Sequence, residues 1–162
     1  MKALATALLC APLVAVWGCK DNGPKPDPVK EQDAALRSQL VGVWERAWDF
    51  GPVGYVYELN SDGSLFLHEL REANSVAAGA VIEGAMEMYH PVYKVKLRTC
   101  RRETGSWTVE NGNLVFVIDL ASGDPMRQIQ RIERASSLEM SLSTSGLDGK
   151  TETRFSRRKA GR

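Results

Sequence analysis

Between residues 138 and 143, apolar Leu138, Met140 and Leu142 alternate with Glu139, Ser141 and Ser143. That two-residue period belongs to a strand with one buried face. Tyr55, Tyr57 and Leu59 repeat it against Val56 and Glu58, and Leu114, Phe116, Ile118 and Leu120 share a face, with Val115 and Val117 opposite. The same reading predicts strands over 41–47, 54–59, 64–70, 92–102, 106–110, 114–120, 126–134, 138–143 and 151–157. Clusters tolerant of positive φ separate them: Asn60-Ser61-Asp62-Gly63, Asn111-Gly112-Asn113, Ser122-Gly123-Asp124-Pro125 and Leu147-Asp148-Gly149-Lys150. Strands this closely spaced, with no helix between successive ones, predict an antiparallel meander. Closing it into a barrel removes its edges.

Two segments depart from this rhythm. Residues 31–40 (EQDAALRSQL) are good helix formers and predict a short N-terminal helix. Residues 71–91 mix Ala, Gly, Glu and Met, fitting neither period cleanly. They are read as an insertion that could serve as a lid.

The amino-terminal end speaks about compartment. Lys2 precedes an apolar run from Ala3 to Trp17, shorter than the roughly 20 residues that span a bilayer, and polar residues follow Cys19. A cleaved signal peptide over 1–18 is expected. Val16-Trp17-Gly18-Cys19 resembles the lipobox of bacterial lipoproteins, although Trp17 is bulkier than is usual there. The resemblance implies a lipidated Cys19 holding the chain to the membrane of a cell envelope, and Lys20 after it leans toward the outer membrane. Several acyl chains at about 0.8 kcal/mol per buried CH₂ hold durably where one does not. Residues 19–30, with three Pro and one Gly in KDNGPKPDPVK, read as a flexible tether. The folded domain is expected over 31–158, with a basic tail at 159–162.

Leu40-Val41-Gly42-Val43-Trp44, Tyr57-Glu58-Leu59, Asp62-Gly63-Ser64-Leu65, Gly105-Ser106-Trp107-Thr108 and Phe155-Ser156-Arg157 follow in the order found in lipocalin-like domains of small bacterial lipoproteins. The chain resembles that family over about residues 39–158. The resemblance implies an all-β, antiparallel up-and-down β-barrel of about eight strands. It also implies that Trp44 plugs one end and that Arg157 or Arg154 lies over its ring. A barrel of this size is expected to take a small hydrophobic or amphipathic ligand in its interior, with Tyr55, Tyr57, Leu65, Leu67, Phe116 and Ile118 as candidate walls. The alternative is a filled barrel that contacts envelope proteins or glycans from its surface, with Trp48, Phe50 and Tyr93 as candidate contacts.

Composition narrows the chemistry. Of 162 residues, 43% are hydrophobic and 25% charged, an ordinary globular balance. A formal charge of +1 argues against a nucleic-acid partner. Cys100 would stand alone once Cys10 leaves with the signal and Cys19 is acylated, and it is expected to be a buried small hydrophobe. His68 and His90 lack metal-ligand spacing and are read as surface or rim residues; no metal or cofactor is implied. No phosphate loop or nucleophile elbow occurs, and Glu58, Glu69, Glu83 and Glu87 are read as solvated, so no enzymatic role is expected.

Overall fold

Alternating segments become nine strands in the computed structural model, which describes residues 27–46, 51, 53–76, 82–90, 92–120, 123–146 and 149–158. The expected signal peptide, Cys19, the tail 159–162, Trp48 and Phe50 lie outside the described residues. The helix α1 spans Pro28–Leu40, and the strands are β1 (Gly42–Arg46), β2 (Gly54–Leu59), β3 (Ser64–Glu72), β4 (Glu87–Tyr89), β5 (Lys96–Glu110), β6 (Asn113–Asp119), β7 (Met126–Ala135), β8 (Glu139–Gly146) and β9 (Gly149–Arg157). Every pairing is antiparallel. Omitting β4, each strand pairs with the next along the chain, and β9 returns to β1 through Trp44↔Arg157. The result is a closed, eight-stranded up-and-down barrel. The ninth strand, β4, lies against the first residues of β5.

The helix begins earlier than its composition predicts. Asp27 caps it by accepting from the Val29 N–H at 3.0 Å, and Pro28 fits the first turn because its fixed φ suits a helix start. Residues 28–30, expected in the tether, therefore belong to the domain. Leu36 and Leu40 pack on the barrel core. Asp33 accepts from the backbone N–H groups of Asn111 (2.7 Å) and Gly112 (2.9 Å), which ties α1 to the β5–β6 turn.

The segments 92–102 and 106–110, expected as separate strands, join from Lys96 onward into one strand of 15 residues, β5, while 92–95 form the turn before it. Gly105 lies inside it because a Cβ there would come within 2.2 Å of the Val117 carbonyl oxygen. The glycine marks a close strand approach, where the sequence suggests a break. Leu138, expected on the inner face, sits in the β7–β8 turn at 64% exposure, while Met140 and Leu142 are buried.

Two apolar clusters hold the fold. The larger fills the barrel with Leu40, Trp44, Leu59, Leu65, Trp107, Leu114, Phe116, Ile118, Met140, Leu142 and Phe155 among its members. The smaller joins Val56, Leu70 and Leu97, on the opposite strand faces, to Val43, Met86, Met88 and Val95. The second half of the expected insertion thus packs against the outer face of the barrel wall. Arg102 and Arg158 clamp it there: Arg102 Nη1 donates to the Glu83 carbonyl at 2.9 Å and Arg158 Nη2 to the Glu87 carbonyl at 3.2 Å.

That packing buries both histidines, correcting their reading as surface residues. His68 has no exposure, since its strand position faces the covered outer surface. His90 is equally buried and organises the turn after β4. Cys100 is half-buried at the bulge of β5 against β3, its thiol donating to the Glu69 carbonyl at 3.4 Å. Burial raises its pKa, which leaves it a poor nucleophile.

Candidate functional site

Gly42-Val43-Trp44 leads directly from α1 into the barrel. The Trp44 ring is fully buried, and its Nε1 donates to the Leu40 carbonyl at 2.7 Å, closing the end of the helix over the plug. Arg157 comes from the paired strand. Its guanidinium carbon lies 4.7 Å from the Trp44 ring centroid, and Nη2 donates to the carbonyls of Gln39 (2.6 Å) and Val41 (2.8 Å). One cation therefore covers the ring and satisfies carbonyls at the helix C-terminus. Gly42 makes room for it, because a Cβ there would meet the guanidinium at 3.3 Å. Arg154 is elsewhere: it is exposed, 3.6 Å from Glu152.

The six candidate wall residues divide. Tyr57, Leu65, Phe116 and Ile118 belong to the packed interior. The Tyr57 ring lies 5.7 Å from Phe116 and 5.2 Å from Phe155, centroid to centroid, the latter edge to face. Burial raises the Tyr57 phenol, with Arg46 opposing. Tyr55 and Leu67, the latter also packed on the core, line a cavity of about 200 Å³ with Glu69, Arg101 and Glu103, at the end of the interior away from α1. Its walls are largely ionic: Arg101 pairs with Glu103, Arg71 pairs with Glu69 at 2.8 Å, and Arg46 stands 5.8 Å above the Tyr55 ring. Sequence reading missed Glu69, Arg101 and Glu103 as interior groups. Their alternation with His68 and Arg102 is visible, but charged residues on both strand faces conceal which face turns inward.

Further concavities lie outside the barrel among the described residues. One of about 290 Å³ runs along β8 and β9 past Ser141, Glu152 and Arg154. A groove of about 610 Å³ separates α1 from β7, between Asp33 and Leu36 on one side and Arg131 to Ala135 on the other.

On the covered outer face, His68 Nε2 lies 3.6 Å from Glu58 Oε1. Burial, with Arg102 and Arg158 nearby, holds the imidazole down at about 4. Burial also raises the carboxyls of Glu58 and Glu45, Arg158 opposing in both. Among the described residues, no group of three His, Cys, Asp or Glu side chains could hold a metal ion. Tyr93 is 52% exposed, beside Val92 at 72%.

Comparison of the chain with family models, curated proteins and solved structures returns no match.

Proposed function

We propose that the protein is a lipocalin-like envelope lipoprotein, held to its membrane through Cys19, whose filled barrel serves as an interaction module and makes its contacts from the outside. The observation that carries this is the packed interior. Trp44, Tyr57, Phe116 and Phe155 occupy the space where a carrier would hold its cargo. Sites for small apolar molecules run from about 300 to 1,000 Å³ and are mostly hydrophobic. The inner cavity is smaller, at about 200 Å³, and carries Glu69, Arg101 and Glu103. The lipid anchor rests on the sequence around Cys19.

Native mass spectrometry of protein extracted from cells, with titration of an apolar fluorescent probe, tests the module reading. No bound molecule and no saturable probe signal are expected; a stoichiometric hydrophobic ligand would overturn it. Radiolabelled palmitate tests the anchor. Label is expected on the wild-type protein and lost in Cys19→Ala.

A carrier reading has one observation in its favour, the presence of Tyr55 and Leu67 at the inner cavity. It would confine cargo to a few polar atoms reaching the carboxylates of Glu69 and Glu103.

A further inference from the structure

Among the described residues, six large hydrophobic side chains are exposed, and three of them, Tyr89, Val92 and Tyr93, fall within five positions of sequence. They sit at the turn joining β4 to β5. Exposed singly, such residues need no explanation; concentrated on one turn, they mark a contact.

The turn is held firmly. His90 is fully buried, and its Nδ1 accepts from the backbone N–H groups of Val92 and Tyr93, both at 3.2 Å. Its own N–H donates to the Val95 carbonyl at 2.8 Å, its carbonyl accepts from Lys94 N–H at 3.0 Å, and its ring meets Tyr93 edge to face at 4.8 Å. Lys94 adopts φ +57°, a left-handed conformation unfavourable for a side chain of its size. Below the turn, Met88 and Val95 lock the hairpin onto Val56, Leu70 and Leu97. The polar imidazole is inside and the apolar groups are largely outside, with the Tyr93 ring also resting against the imidazole.

The flanking charge identifies the partner. Lys94 lies in the turn and Lys96 and Arg98 follow it on β5, against Glu87, which pairs with Lys96 at 2.6 Å, and Glu72, across from Leu97 on the neighbouring strand. Two tyrosines with a valine between them, edged by surplus positive charge, suit a membrane interface: the rings sit at headgroup depth and the cations meet anionic lipid.

We infer that the β4–β5 turn is a second membrane contact, placing Tyr89, Val92 and Tyr93 in the headgroup region of an anionic bilayer. This rests on the lipid-anchor reading, and the test separates the two. A nitroxide is placed at Val92→Cys in a Cys100→Ser background, and the acylated full chain is reconstituted in phosphatidylethanolamine–phosphatidylglycerol vesicles. The ratio of oxygen to nickel-chelate collisions at position 92 is expected to rise several-fold over a control label at Ser145→Cys. It should fall back in Tyr89→Ser/Tyr93→Ser, in Lys94→Glu, and on phosphatidylcholine vesicles. Equal ratios at 92 and 145 on protein retained by the vesicles would overturn the turn contact. A label shielded equally without vesicles would also overturn it, and would assign the turn to a protein partner. Protein not retained by the vesicles indicts the anchor, and the turn is then judged from unacylated Cys19→Ser protein on the same anionic vesicles, where salt-sensitive immersion supports it and none overturns it.

Discussion

Arg157 couples the last strand to the first through a ring and two carbonyls, so its removal acts on three contacts together. Arg157→Met keeps much of the apolar stem but loses the charge. A loss of about 2 kcal/mol is expected in urea denaturation, from the cation–π contact and the charge-assisted hydrogen bonds. Trp44→Ala should cost more, about 3–5 kcal/mol, because it empties a fully buried site beneath the end of α1. His68 gives the pH dependence. Below about 6.5 the unfolded chain takes up a proton that the folded imidazole refuses until about 4. Stability should therefore fall as pH drops through that window, by roughly 1.4 kcal/mol per pH unit. Glu45 and Glu58 act oppositely near the acid end, since their raised carboxyls bind protons more readily when folded. Denaturation midpoints measured from neutral to about pH 4.5 should show the slope, and His68→Leu should flatten it.

The elements divide into those whose own pattern announces them and those defined by what they touch. Strands β2, β6 and β8 follow their alternation on the inner face, and the turns at 60–63 and 111–112 follow their residues, although Val56, Val115, Ser141 and Ser143 are buried on the other face as well. The packing of Met86 and Met88 is not legible in this way. It depends on Val56, Leu70 and Leu97, which look in sequence like minor apolar positions on a solvated face. His68 is hidden by the same cover. Nor does alternation reveal whether a barrel is filled, since a wall residue and a core residue share the same period. The helix is an element held by contact: Asp33→Ala removes the carboxylate that accepts from Asn111 and Gly112. It should cost about 1–2 kcal/mol, and hydrogen exchange at those two amides should accelerate while exchange in β8 changes little. Met86→Ala/Met88→Ala should release the outer segment, seen as faster proteolysis within 82–95 with the far-ultraviolet circular dichroism of the barrel retained.

Taken whole, the molecule is a ring of strands stoppered by a helix and thickened on one side by an added hairpin. Its interior is filled largely by its own side chains. Because α1, β1 and β9 meet around Trp44, the helix and the barrel should unfold together. Tryptophan fluorescence and far-ultraviolet circular dichroism are expected to give coincident denaturation curves.

The meeting of β1 with β9 also sets an order of events. The partner of the earliest strand is synthesised last, so the ring cannot zip shut until the carboxyl-terminal residues have emerged. A premature stop before Phe155 would leave a sheet with two raw borders, each a template for adding strands from other copies.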